Sequence, residues 1–158
     1  MAEAPAAAQE PRSDEADDYT RVYWSAMEPM ASVGDPDAPP LATVPHHCLE
    51  WTRLQVGHPS WRTFGAFDSG ELVAVSSLFI DGSAGELMGA YTLPEHRGRG
   101  AQTAMMAARI RAAAAVGCRW VCTETRSSET GQPSSALNNI RRMGFLELYE
   151  RRNWLAEV

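Results

Sequence analysis

The chain has 158 residues, 44% of them hydrophobic and 22% charged, so it is long enough to bury one core and is neither a disordered nor a fibrous polymer. Its formal net charge of -6 is unevenly spread: residues 1–20 set Arg12 against six acids, residues 21–96 three arginines against nine acids, and residues 97–158 ten arginines against five acids. This balance excludes a chain that is basic throughout, and an acidic partner is expected to meet the C-terminal part, although solvated helix and strand faces account for the same arginines equally well.

Residues 1–18 are rich in Ala, Pro, Glu and Asp and hold no large apolar residue after Met1. Such a stretch cannot offset the entropy of ordering, so a disordered acidic tail is expected before a single domain at 19–158. The first thirty residues lack a basic and then an apolar signal region, and no uncharged apolar run of about 18 residues occurs, so no membrane association is expected. Cys48, Cys118 and Cys122 cannot all pair and fit neither a disulfide framework nor a zinc-ribbon spacing, which implies a reducing, cytoplasmic setting.

Along the chain, Tyr19–Met30 reads as a first strand running into a short helix, Asp35–Pro40 as a loop and His46–Leu54 as a short helix. Within the last, His46-His47-Cys48 is metal-capable in type alone, because adjacent helical residues point in different directions, and no metal is expected. Trp61–Phe67 and Glu71–Ile80 are strand-like runs around Asp68-Ser69-Gly70, which predicts a hairpin with Gly in the left-handed position. A turn at Asp81-Gly82-Ser83 leads to a third antiparallel strand, Glu86–Thr92. Gly100–Val116, dominated by Ala, Met and Ile, predicts a long helix with Gly117 as its C-terminal cap; only Gln102, Thr103, Arg109 and Arg111 interrupt its apolar surface. Arg119–Thr125 follows as a strand, so strand, long helix and strand imply a parallel crossover. Ser134 or Ser135 caps a short helix ending before Gly144, and Phe145–Arg151 and Asn153–Val158 read as final strands.

Chemistry concentrates in Thr92-Leu93-Pro94-Glu95-His96-Arg97-Gly98-Arg99-Gly100-Ala101-Gln102, between a strand and the Ala-rich helix. Glycines let backbone approach an anion, and the amides of a helix's first turn point at whatever precedes them, so this is a phosphate-binding turn with Arg97 and Arg99 adding charge-assisted hydrogen bonds. Neither Gly-x-Gly-x-x-Gly nor Gly-x-x-x-x-Gly-Lys is present, which sets aside the dinucleotide fingerprint and the P-loop. Arg-Gly-Arg-Gly abuts a strong helix instead of lying in a long repetitive segment, so no nucleic-acid partner is expected.

These residues resemble the GNAT superfamily of acetyl-CoA-dependent N-acetyltransferases, whose signature is Arg/Gln-x-x-Gly-x-Gly/Ala at the start of a helix after the fourth strand. Arg97 and Gly100 match it, and Gln102 in place of the last Gly or Ala resembles a subgroup with Arg-Gly-x-Gly-Ala-Gln. The likeness runs from about residue 61 to 154, through Gly117-Cys118, Glu124-Thr125, Asn139, Gly144-Phe145 and Tyr149-Glu150-Arg151. It implies an α+β fold: a twisted mixed sheet of six or seven strands, helices on both faces, and the fourth and fifth strands splayed apart.

The resemblance implies transfer of an acetyl group from acetyl-CoA to an amine of a small molecule or peptide. Tyr91, Thr92 and Leu93 would offer main-chain groups to the pantetheine arm, one N–H polarising the thioester carbonyl. Arg97, Gly98, Arg99, Gly100, Ala101 and Gln102 would hold the pyrophosphate, and Asn139 would contact the pantetheine. The amine must be neutral to attack, so a general base is required; Glu86 and Glu124 are the candidates, Glu124 favoured by its place at the C-terminal end of a strand. The resemblance places a Tyr acid for the leaving thiolate where this chain has Ile140, leaving Tyr149, Ser135 or solvent to supply that proton. Trp24 and Trp51 are candidates to line an acceptor pocket. A homodimer is compatible with these features, and a non-catalytic acyl-CoA-binding or protein-interaction module is the alternative that Ile140 prompts.

Overall fold

A computed structural model describes residues 8–31, 44–125 and 134–151. They fall into two compact units divided between Thr123 and Glu124.

In the first unit a five-stranded sheet runs in the order β1 (Ala8–Gln9), β2 (Trp61–Asp68), β3 (Glu71–Asp81), β4 (Ala84–Thr92) and β5 (Trp120–Thr123). The first four strands are antiparallel and β5 joins β4 in parallel, as the predicted crossover requires. Asp68 pairs with Glu71, so the β2–β3 hairpin closes on two residues, Ser69 and Gly70, both at positive φ (52° and 87°). That loop matches the twist of the flanking strands. The fold class, a mixed α+β sheet with helices on both faces, is therefore as expected.

Cross-strand partners share a face, which sorts the sheet into two sides. Ala66, Ala74, Leu78, Gly85 and Leu87 face α3 (Ala101–Ala115), where Ala101 and Met105 pack on Ala66 and Ala74. The other side carries Leu72, Val75, Phe79, Glu86 and Tyr91, and α1 (Ala16–Ala31) lays Tyr19, Val22, Tyr23 and Ala26 on the Leu72, Val75 and Leu93 part of it. α2 (His46–Leu54) packs beside α1: Trp24 Nε1 donates to Thr52 Oγ1 at 3.1 Å, and Trp51 meets Trp61 edge-on at 5.7 Å.

Two expectations for the N-terminal region change. Tyr19–Met30 holds no strand; α1 is helical throughout, because one face of it seals an apolar sheet surface whatever its local propensity. Residues 8–18, expected in the disordered tail, are placed: Ala8 and Gln9 pair with Ala66 and Gly65 on the open edge of β2, and α1 begins at Ala16. Main-chain hydrogen bonding to an exposed strand edge needs no apolar side chains, so composition did not reveal it. Residues 1–7 of that tail lie outside the described residues, as does the Asp35–Pro40 loop.

The second unit contains α4 (Ser135–Arg142), whose first turn is capped by Ser134 Oγ accepting from the Leu137 N–H at 3.1 Å. The expected strand over Phe145–Arg151 is not found among the described residues: these residues form no ladder with any other described residue, and Leu146, Leu148 and Tyr149 are exposed. A strand exists only against a partner, and alternation of side chains cannot supply one. Asn153–Val158 lies outside the described residues, so the described sheet has five strands against the six or seven expected. No described helix is long and apolar enough to cross a membrane.

β4 departs from a regular ladder at one place. Ser77 pairs with Met88 and Val75 with Tyr91, so Gly89 and Ala90 together face Ser76: one extra residue, a β-bulge. Gly89 has φ 45°, and a Cβ there would stand 2.8 Å from Tyr23 Cε2. Gly89→Ala is expected to cost about 1–2 kcal/mol of left-handed strain and about 1–3 kcal/mol more for displacing the Tyr23 ring. Gly70→Ala, also at positive φ but with nothing within 4 Å of its Cβ, pays the strain alone. Urea denaturation of both variants checks this; equal losses would mean that Tyr23 does not crowd the bulge.

Candidate functional site

β5 pairs with β4 over four residues only, Ala84↔Trp120 to Leu87↔Thr123, and the Thr123 hydroxyl donates to Leu87 O at 3.1 Å on the last rung. β4 continues to Thr92 while β5 ends at Thr123. One main-chain edge of β4 from Met88 onward therefore has no strand against it among the described residues, and the bulge lies at its start.

Tyr91, Thr92 and Leu93 all sit on this stretch, but not equivalently. The Leu93 N–H donates to Val73 O at 3.0 Å, so it faces β3 and is already used. Because main-chain groups alternate sides along a strand, the Thr92 N–H and C=O face the open edge. In agreement, Thr92 O accepts from Arg97 Nε at 3.1 Å from outside the sheet. The expectation of one available N–H among the three residues narrows to Thr92, while Leu93 is buried and Tyr91 packs edge-on against Tyr23 at 4.6 Å.

Beyond β4 the chain makes a short 3-10 turn at Pro94–His96 and enters the glycine loop. Gly98 and Gly100 have φ 77° and 84°, values at which a side chain would be strained, and Gly100 is the residue before α3. No side chain caps α3, so the amides of its first turn, from Ala101 on, are presented to the loop. A helix N-terminus without a cap, preceded by two left-handed glycines, is chemically suited to an anion of phosphate size.

The two loop arginines are held differently. Arg97 braces the loop on neighbouring main chain, donating to Thr92 O and, through Nη2, to Ala26 O of α1 at 3.4 Å. Arg99 Nη1 donates to Asp68 Oδ2 at 2.9 Å, and the same oxygen lies 3.1 Å from His96 Nδ1. His96 is thus partly buried against a carboxylate. Asp68, which reads in the sequence as a hairpin residue only, is the acidic anchor of the loop. Gln102 is half-buried on the first turn of α3.

The two candidate bases differ in the same way. Glu86 stands in a cross-strand row with Phe79 and Cys122 on the face that α1 and α2 flank, half-buried and in no ion pair among the described residues. Glu124, at the start of the second unit, accepts a hydrogen bond from Arg151. Also in that unit, Asn139 lies on α4 and Tyr149 is 73% exposed. Trp24 is a packing residue on the α1 core, and Trp51 is exposed beside Trp61. No group of three or more metal-capable side chains occurs among the described residues.

Sequence reasoning missed Asp68, Tyr23 at the bulge, and Arg109. The one visible signal was Arg109 itself, a cation in an otherwise apolar helix surface. Burial raises the Tyr23 phenol far above its ordinary range, with Tyr91 adding to the rise, so this hydroxyl stays protonated beside the strand.

The family model described as acetyltransferase (GNAT) family matches residues 16–133. Among solved structures, a transcriptional regulator from Bacillus halodurans C-125 superposes with a TM-score of 0.72 at 14% identity, covering 96% of this chain and 99% of that one. A protein from Clostridium acetobutylicum described as a predicted acetyltransferase, with acetyl-CoA, gives 0.66 at 14%, covering 94% of each chain. An aminoglycoside N-acetyltransferase in complex with CoA gives 0.65 at 18%, covering 96% of this chain and 94% of that one. A search of curated proteins finds no match to the sequence.

Proposed function

Since the chain belongs to the acetyltransferase (GNAT) family, we propose that it transfers the acetyl group of acetyl-CoA to the amine of a small molecule or peptide. The observation that carries this reading is the continuity of the open edge of β4, through Thr92, into the Arg97–Gly100 loop and the uncapped start of α3. An extended arm on the edge and a pyrophosphate at the helix would be accommodated by one uninterrupted stretch of backbone. Acetyl-CoA supplies the activated thioester; the chain's own groups do the rest.

The Thr92 N–H is the donor assigned to the thioester oxygen, where charge builds as the amine attacks; loss of such a donor in other enzymes costs about 2.7–4 kcal/mol. Arg97 supports that donor indirectly by holding the Thr92 carbonyl, and Arg99 turns from Asp68 toward the phosphates. Gly98, Gly100, Ala101 and Gln102 complete the loop and first helical turn. Asn139 as a pantetheine contact and Tyr149 as proton donor to the leaving thiolate rest on the family resemblance alone. Aminoglycoside enzymes among the structural neighbours, and the excess of acidic residues before residue 97, favour a cationic amine as acceptor.

Of the two carboxylates we assign the general base to Glu86, because Glu124 is engaged by Arg151 and Glu86 has no cationic partner among the described residues. The ammonium of the acceptor gives its proton to Glu86, directly or through one water, and the neutral amine then attacks the thioester carbonyl. Glu124 stands as the second candidate.

Acetyl-CoA at 100 times its dissociation constant is expected to stabilise the fold by about 2.7 kcal/mol, raising the thermal midpoint by about 5–10 °C. Gly100→Asp places a carboxylate where phosphate must approach and should abolish the shift; its retention would put the phosphates elsewhere. Asp68→Asn leaves Arg99 without its anion, and since exposed ion pairs contribute only about 0–1 kcal/mol, stability should hold while CoA affinity measured by calorimetry rises. A fall in affinity would show that Asp68 orients Arg99 and does not compete for it.

Thiol release with a panel of amines tests the reaction itself. Glu86→Gln should lower turnover by about 100-fold to 10,000-fold with acetyl-CoA affinity intact, and the deficit should shrink as pH rises because more of the amine is then neutral. If Glu124→Gln is the crippled variant instead, the base lies just beyond the end of β5. A wild type that binds acetyl-CoA but releases no thiol with any amine would favour a non-catalytic acyl-CoA-binding module.

A further inference from the structure

Arg109 is the one charged residue that is buried among the described residues, at 2% exposure. It lies midway along α3 and points into the sheet. No carboxylate pairs with it among the described residues. Its guanidinium instead donates to three carbonyls: Nη1 to Ser77 O at 3.1 Å and to Met88 O at 3.2 Å, and Nε to Met105 O at 3.3 Å. Burying a cation without a counter-ion is costly, and a helix that only had to cover a sheet would use Leu or Met here.

The two sheet carbonyls are not arbitrary. Ser77 and Met88 are the last regular pair before the bulge, where the extra residue at Gly89–Ala90 interrupts the ladder. An interrupted ladder leaves main-chain acceptors to be satisfied inside the protein. A guanidinium suits this, since its planar fork can bridge two strands at once. The Ser77 hydroxyl, at 3.3 Å, also donates to Met88 O.

We propose that Arg109 is a positioning residue: it fixes the β4 bulge to α3 and so sets the distance between the main-chain edge at Thr92 and the anion-binding turn at Gly100. The inference rests on the acyl-CoA reading above and deepens it. The turn at Gly100 opens the same helix that carries Arg109 little more than two turns later, while the bulge sets the direction of the strand that ends at Thr92. One side chain therefore ties together the helix and the strand that carry the two places a single long cosubstrate must touch. Burial pushes the guanidinium down to about 10, with the buried Tyr19 phenol acting in the opposite sense, so the side chain remains charged near neutral pH.

The test compares two ligands in wild type, Arg109→Met and Arg109→Lys. Acetyl-CoA needs both places, whereas adenosine 3′-phosphate 5′-diphosphate needs only the phosphate turn. In a folded variant, nucleotide affinity should stay close to wild type while the extra affinity of acetyl-CoA over the nucleotide falls by about 10-fold or more, the effect of losing one or two hydrogen bonds to a charged group. Equal loss for both ligands, or none, overturns the proposal. Should Arg109→Met fail to fold, Arg109→Lys keeps charge and length without the fork, and amide hydrogen exchange provides a readout independent of any ligand. Exchange should quicken at Gly89–Leu93 and at the first turn of α3, and no faster elsewhere; unchanged or uniformly faster exchange counts against the pin. If wild type binds neither ligand, the acyl-CoA reading fails, and the exchange comparison still decides whether Arg109 holds the bulge.

Discussion

The site depends on a geometric constraint in β4, which has to be a central strand at one end and an open edge at the other. From Ala84 to Leu87 it is paired on both sides, by β3 and by β5. From Met88 onward it keeps β3 and has no second strand among the described residues. A regular strand cannot change its environment without exposing or burying main-chain groups unsuitably, and the extra residue at Gly89–Ala90 is how this strand does so. The left-handed conformation at Gly89 allows the turn, and the ring of Tyr23 occupies the space a side chain would take.

Several otherwise separate features follow from this constraint. α1 must bring an aromatic side chain to the bulge, and Tyr23 does so, flanked by Tyr19 at 6.4 Å and Tyr91 at 4.6 Å. α3 must supply donors to the carbonyls of the interrupted ladder, and Arg109 reaches two of them. The loop after β4 is then stitched back to the same strand end by Arg97 and to the β2–β3 hairpin by Asp68, which holds Arg99 and His96. Asp68 thus offsets the charge of Arg99 while carbonyl oxygens hold Arg97, which lessens the repulsion between the cations beside an uncapped helix.

Family membership and the local geometry bear on different questions. The GNAT match fixes the family and the general chemistry of acetyl transfer, and the structural neighbours fix the fold. They say little about the acceptor, because neighbours at 8–18% identity establish a common architecture alone. The acceptor question turns on this chain's own residues: Glu86 beside Phe79 with no ion pair among the described residues, Asp68 at the β2–β3 hairpin holding Arg99, and a buried arginine under the bulge.

The sequence by itself determined the local elements whose signals are local. The β2–β3 hairpin with Gly70 left-handed, the Ala-rich helix opened by Gly100 and closed by Gly117, and a serine cap on α4 are all written in turn chemistry and propensity within a few residues, and so is the glycine loop, although the hairpin closes on two residues where three were expected and only the structure selects Ser134 over Ser135. It did not determine α1, whose helical state is set by the sheet it covers, nor the pairing of Ala8 and Gln9 with β2, nor that residues 145–151 form no ladder among the described residues, because each depends on a partner distant in the chain. The site divides along the same line. Glycines and arginines announced the anion turn, but that the Thr92 N–H is open and the Leu93 N–H spent, that Asp68 holds Arg99, and that Arg109 carries its charge to Ser77 and Met88 are matters of register and of facing surfaces. One added residue in β4 reverses which side every later main-chain group faces, and only the paired strands reveal that it is there.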